Sequence, residues 1–282
     1  MSRQLITDAK NTWCPGCGNF AIQHTLKDVL GEMEEQGRSL DDVVLVTGIG
    51  CHGKMADYLN INSFYAIHGR ALPVATGIKI ANPDLSVICC AGDGDAYAEG
   101  LGHMIFAAKR NIDITLIVHD NRVYGLTTGQ YTPTSPLNFH GRSTPAGTVE
   151  KPFNPLELAL VSGATFIART YTRWLDHLRA TLRDAIDHRG FSFVDVLQIC
   201  ATYYNMTKPY TARAYELEDH DPGDFDAACE TMREWDYSSD APIALGTFYR
   251  TDASTFDEKF GNGGQHEEER KEAIAALLDQ RV

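Results

Sequence analysis

The chain has 282 residues, 43% hydrophobic and 22% charged, with a formal net charge of −13. That length suits one large domain with appendages and a substantial core, and the acidic balance argues against general nucleic-acid or anionic-membrane binding while allowing local basic pockets. The opening M-S-R-Q-L-I-T-D-A-K lacks the apolar centre of a secretory signal, and no apolar run approaches the ~20 residues of a membrane span, so a cytoplasmic chain is expected.

Seven cysteines are an odd number, in a chain too large to need disulfide staples. In a reducing compartment they suggest metal binding or buried thiols. The first two lie in Trp13-Cys14-Pro15-Gly16-Cys17-Gly18. The Pro-Gly centre of this CxxC turns tightly and points both sulfurs the same way. A redox dithiol, half of a zinc site and half of an iron–sulfur site all fit, although a dithiol pair usually follows a strand and this one does not.

Asn19–Met33 carries a helical stripe of Phe20, Ile22, Leu26, Val29, Leu30 and Met33. Val43–Val46 then reads as a short buried strand running into T-G-I-G-C-H-G-K, where Gly48, Gly50 and Gly53 mark a loop at which backbone approaches something closely. His68-Gly69-Arg70 lies between Asn62–Ile67 and a helix-like Pro73–Ile80. A guanidinium beside an imidazole suits an anionic diphosphate or carboxylate, and a capped surface turn is the plainer alternative.

The apolar strand Leu85–Ala91 delivers Gly92-Asp93-Gly94, and a second one, Ile114–Val118, delivers Asn121 after an interval of 26 residues from Gly94. That interval holds a helix, roughly Ala96–Arg110, and the return strand of a β-turn-α-β unit. Mg²⁺ wants a few hard oxygens in octahedral array together with phosphate and water. Asp93 offers a charged oxygen and Asn121 an amide oxygen, while Gly94 and the following helix offer backbone N–H groups to a diphosphate.

Residues 127–153 form a polar, Pro- and Gly-rich stretch without periodicity, read as a pocket rim with Thr127, Thr128 and Gln130 near a substrate and Arg142 as a further carboxylate candidate. Asn154–Val161 and Trp174–His188 read as amphipathic helices around a short strand, Ala164–Ala168, and Phe193–Ile199 is the last strand expected. Beyond Asn205 the chain turns acidic and aromatic and ends in a helix near Glu267–Leu278. The expected division is therefore 1–205 as a cofactor-binding domain and 206–282 as an extension packing on the core or on a partner.

Cys51 and Cys200 each sit beyond the carboxyl end of a strand, where ligand sites of parallel sheets gather. Cys89 and Cys90 fall inside a strand and are expected to be core thiols, and Cys229 is read as structural. Thiolates at 14, 17, 51 and 200 suit either a [4Fe–4S] cluster or a Cys₄ zinc.

The GDG, spacer and Asn pattern resembles the thiamine-diphosphate enzymes. That resemblance adds the Val123 carbonyl as the third protein ligand to Mg²⁺ and makes Gly125-Leu126 the segment closing over the diphosphate. The combined series W-C-P-G-C-G, G-I-G-C, H-G-R-A-L-P-V-A-T-G-I-K, G-D-G-D and D-N-R-V-Y-G-L-T closely resembles the β subunit of 2-oxoacid:ferredoxin oxidoreductases over about residues 10–205. The resemblance implies one [4Fe–4S] cluster on Cys14, Cys17, Cys51 and Cys200. It makes Ile49, Gly50, Cys51 and His52, with Ile67, His68, Gly69 and Arg70, the cofactor-pocket loops, and Gly92, Asp93, Gly94 and Asp95 the diphosphate turn. Glu99 departs from the family, many of whose members carry an apolar residue there.

Alternating strands and helices imply a parallel α/β sheet covered on both faces. The family further implies that an α subunit completes the thiamine site, in an (αβ)₂ assembly, with coenzyme A, a 2-oxoacid and ferredoxin as reactants. In that scheme His68, Arg70, Thr127 and Thr128 are the residues nearest the reaction. The stretch after Asn121 looks more like 2-oxoglutarate members than pyruvate ones. Two other classes stay open: a non-redox thiamine-diphosphate lyase subunit with structural zinc, and a noncatalytic α/β binding subunit.

Overall fold

The computed structural model describes residues 4–259 and 267–280. Among the described residues ten strands form in chain order: β1 Val43–Thr47, β2 Asn62–Tyr65, β3 Ser86–Gly92, β4 Thr115–Asp120, β5 Val123–Tyr124, β6 Gln130–Tyr131, β7 Phe166–Tyr171, β8 Ser192–Leu197, β9 Ala214–Glu216 and β10 Ile243–Arg250. Eight of them make one sheet in the order β2-β1-β3-β4-β8-β7-β10-β9, and β5 and β6 pair as a separate small hairpin. Every neighbouring pair in the large sheet is parallel except β7 with β10.

The inner strands are buried along their length, as their continuous apolar runs require in a sheet covered on both faces. One face packs against helices Ala71–Ala81, Leu101–Arg110, Pro155–Ser162 and Phe225–Arg233. Helices Asn19–Glu35 and Leu175–Asp187 cover the other, with Ile22, Leu26, Leu178 and Leu182 fully buried. Cys89 and Cys90 point to opposite faces and are both fully buried, the core thiols expected of them.

The fold departs from the sequence pattern in two places. The helix expected at Ala96–Arg110 is preceded by a π-type turn, Asp95–Glu99, closed by Gly100 N–H donating to the Asp95 carbonyl at 2.9 Å. The regular helix spans Leu101–Arg110. Phe193–Ile199 is also not the last strand: the chain returns after residue 205 and adds β9 and β10 to the same sheet, β10 antiparallel to β7 with a register shift between Thr247 and Tyr249. Among the described residues no helix is long and apolar enough to cross a membrane.

Candidate functional site

Strands β1, β3, β4 and β8 lie side by side and run parallel, so their carboxyl ends open on one edge. The loops after them carry Gly48–Lys54, Asp93–Asp95, Asn121–Thr127 and Gln198–Cys200. Parallel pairing thus gathers residues as far apart in the chain as Gly48 and Cys200. A cleft forms there, lined by Ile49, Gly50, Cys51, His52, His68, Gly92, Asp93, Gly94, Asp95, Asn121, Val123, Gly125, Leu126 and Thr127 among others. Beside it, Cys14, Cys17, Cys51 and Cys200 line a second cavity. Cys51, Asn121, Gly125 and Leu126 belong to the walls of both.

Five residues expected at the cleft lie off its wall, among them Gln130, which accepts from Thr127 at 2.6 Å and lines a neighbouring pocket. Ile67 is 73% exposed and points outward. Gly69 contributes only its N–H, which donates to Asp95. The Arg70 guanidinium turns back to the Gly69 and Glu99 carbonyls. Thr128, at a left-handed φ of 76°, accepts from Arg142 on a neighbouring rim pocket. Arg70 is solvent-exposed because its helix begins at Ala71 and its side chain meets the π-turn before reaching the cleft.

Asp95 ties the two pocket loops together. Its Oδ1 accepts from Gly69 N–H at 2.8 Å and from Ile49 N–H at 3.4 Å and lies 3.2 Å from His68 Nδ1, while Oδ2 lies 3.6 Å from His52 Nε2. Burial works to raise this carboxyl, but His52, the Gly69 N–H and His68 outweigh it and hold Asp95 below its usual range. A β-carbon on Gly48 would sit 1.7 Å from Asp95 Oδ2. Gly48→Ala is therefore expected to displace Asp95 and to destabilise the protein by about 1–3 kcal/mol, measured by thermal unfolding, with weaker retention of cofactor.

Asp93 is buried, and burial pushes its carboxyl up to about 6 against the pull of Thr132, Thr134 and nearby backbone N–H groups. Thr134, which sequence reasoning missed, lies 3.0 Å from Asp93 Oδ2 and 2.9 Å from Asp120 Oδ1. Its single hydroxyl proton serves one carboxylate at a time, so a cation placed against Asp93 answers a real electrostatic need. Asn121 Oδ1 accepts from Val123 N–H at 3.0 Å and keeps a second lone pair for a metal. Gly94 has an ordinary φ of −63°, so its role is spatial: a β-carbon there would lie 2.2 Å from the Tyr124 ring. The Tyr124 hydroxyl donates to Gly94 O or to Glu99, folding this ring over the turn and giving the unusual Glu99 a partner.

Asn19 Nδ2 and His119 Nε2 have no hydrogen-bond partner among the described residues and lie at the cleft floor, where neither residue was foreseen, beside the expected His52, whose Nε2 approaches Asp95 at 3.6 Å. His119 Nδ1 lies 2.9 Å from Asn19 Oδ1. Burial and the neighbouring His52 hold His119 well below the ordinary imidazole range, so it stays neutral.

In the cysteine cavity all four thiols are free. Burial, with Cys51, Cys200 and Cys14 adding to it, pushes Cys17 up to about 11. Cys51 is raised by burial and by Cys200 and Cys14 despite the pull of Lys54. A β-carbon on Gly125 would touch the sulfurs of Cys51 and Cys200 at 3.6 and 3.7 Å. The described residues hold no group of three or more His, Cys, Asp or Glu drawn together as a single-ion site, and the thiols surround a cavity instead of meeting at one point.

Residues 48–196 match the family model of the thiamine pyrophosphate enzyme C-terminal TPP-binding domain, and residues 200–263 match that of the C-terminal region of the pyruvate ferredoxin oxidoreductase β subunit. The 2-oxoacid:ferredoxin oxidoreductase 1 subunit beta of Aeropyrum pernix is 39% identical over 259 residues, covering 86% of this chain and 79% of that one. The chain belongs to the 2-oxoacid:ferredoxin oxidoreductase β subunits. Within that family, the 2-oxoglutarate synthase subunit KorB of Methanothermobacter thermautotrophicus is 40% identical over 192 residues, 68% of this chain and 66% of that one. A solved 2-oxoglutarate:ferredoxin oxidoreductase from Magnetococcus marinus, with 2-oxoglutarate, coenzyme A and succinyl-CoA bound, superposes with a TM-score of 0.87 at 33% identity, over 96% of this chain and 94% of that one. A thiamine-diphosphate-binding domain and membership as a β subunit, hence an α partner, follow from these matches. So does the mostly parallel α/β fold expected from the sequence.

Proposed function

We propose that this chain, with its α subunit in an (αβ)₂ assembly, oxidatively decarboxylates 2-oxoglutarate with coenzyme A to succinyl-CoA and CO₂. Two electrons pass one at a time to ferredoxin. Thiamine diphosphate, when bound, would supply the nucleophile and the electron sink for decarboxylation, and a [4Fe–4S] cluster would supply one-electron transfer. The observation that carries this reading is the wall of Cys51, Asn121, Gly125 and Leu126 common to the cleft and the cysteine cavity.

The side-chain oxygens of Asp93 and Asn121, with the Val123 carbonyl, would hold Mg²⁺ against the diphosphate. Buried Asp93 gains a countercharge by doing so. Tyr124 lies over the turn, and Leu126 lines the same cleft. His68, fixed by Asp95, faces the cleft with Thr127 and is the chain's best candidate to orient the reacting carboxylate. Arg70 and Thr128 lie further out, off the cleft wall. Cys14, Cys17, Cys51 and Cys200 would bind the cluster as thiolates, and at Cys17 and Cys51 burial makes the proton hard to lose without a metal.

The choice of 2-oxoglutarate rests on the relatives' substrates and on the N-R-V-Y-G-L-T-T-G-Q-Y-T-P-T-S-P stretch. The test is ferredoxin reduction by the anaerobically co-purified complex with 2-oxoglutarate and with pyruvate. At least a tenfold higher kcat/KM for 2-oxoglutarate is expected, corresponding to ~1.4 kcal/mol of discrimination. Equal or better use of pyruvate overturns the substrate assignment.

A further inference from the structure

We infer that Gln198 sets the reduction potential of the iron–sulfur cluster by donating a hydrogen bond to the Cys17 sulfur, an inference that rests on the cluster reading above. Gln198 follows β8 directly, and its backbone is fixed on both flanks. Its own N–H donates to the Asp120 carbonyl at 2.9 Å, and the next carbonyl, of Ile199, accepts from Gly18 N–H at 3.0 Å. The CxxC turn is seated on this side chain, since a β-carbon on Gly18 would come within 2.9 Å of Gln198 Cγ and 2.7 Å of Ile199 N.

Gln198 is only 2% exposed, and its Nε2 donates to Cys17 Sγ at 3.3 Å. Its Oε1 has no partner among the described residues. Burying an amide with its acceptor unsatisfied is costly, so the gain lies at the NH₂ end. An iron-bound thiolate accepts hydrogen bonds and cannot donate one, which selects the NH₂ end of the amide for the sulfur. Reduction adds one negative charge to the cluster, and a donor aimed at a ligand sulfur stabilises that charge. Gln198 therefore favours the reduced state. It is a positioning and tuning residue and touches neither substrate nor thiamine.

The experiment is a dithionite titration of the anaerobic complex, in the native form and as Gln198→Leu and Gln198→Glu, followed by the electron-paramagnetic signal of the reduced cluster with iron content measured alongside. Both variants lack the donor. Each is expected to lower the equilibrium constant for cluster reduction about tenfold, which is about 59 mV for a one-electron couple. The Glu variant shifts at least as far because it adds charge. Full iron content with an unchanged potential in both variants overturns the inference and leaves the cluster reading intact. Loss of iron from both also overturns it, since Gln198 would then serve assembly. A native complex without iron sinks the cluster reading itself.

Discussion

Asp93→Ala in the assembled complex is expected to lower turnover by more than ~100-fold, beyond what loss of an outer-shell partner of a metal ligand costs. Asp93 is the only carboxylate on the turn between β3 and the π-turn that is not already bound by the pocket loops, because Asp95 is engaged by Gly69, His68 and His52. Without it the proposed Mg²⁺ would lose its charged protein oxygen, and the diphosphate the ion that neutralises it. The fold should survive: Thr134 keeps Asp120 as a partner at 2.9 Å, and the strands around the site are held by their own pairing. Circular dichroism and thermal unfolding of the variant complex check the fold, and titration with thiamine diphosphate and Mg²⁺ checks binding. Asp93→Asn, of the same shape without the charge, separates electrostatics from space. Turnover within tenfold of native in both variants would remove Asp93 from the metal site.

Cys17→Ser should separate the two halves of the chemistry. Cys17 lines the cysteine cavity and not the cleft, so its loss leaves the walls around Asp93 and Asn121 in place. Serine keeps the volume but is a poor ligand to iron. Iron content should fall, and ferredoxin reduction should drop at least ~100-fold, while thiamine diphosphate binding stays within about threefold. Colour and metal analysis of the native complex decide the rival reading at once, because a Cys₄ zinc site is colourless and would leave no iron to lose. Unchanged iron in Cys17→Ser would show that the iron is held elsewhere.

Much of this site is readable before any fold is known because Cys51, Asp93, Asn121 and Cys200, the proposed ligands from the sheet loops, stand just past apolar runs. Parallel strands end together, so Gly48, Asp93, Asn121 and Cys200 had to open on one edge once β1, β3, β4 and β8 became neighbours. What escapes is whatever depends on contacts distant in sequence. Thr134 looks like any threonine of a Pro-rich loop, and only the fold places it between two carboxylates. Strand β10 is apolar over Ile243–Leu245, then broken by Gly246 and half exposed beyond it, a pattern that does not announce a place inside the main sheet. Arg70 misleads because its chemistry suits a diphosphate, whereas the start of a helix decides where the side chain goes.

Arg122 stands between Asn121 and Val123 with a left-handed φ of 61°, and its guanidinium donates to the carbonyls of Thr134 and Tyr237 while lying over Trp235. Trp235 and Tyr237 come from beyond residue 205, and Tyr237 OH in turn donates to Asp195 at 2.6 Å. The segment beyond residue 205 is thus a keystone for the turn that presents both oxygens after β4. A shortened version ending near Asn205 would keep every proposed ligand in its sequence and still lack the brace that sets their angle.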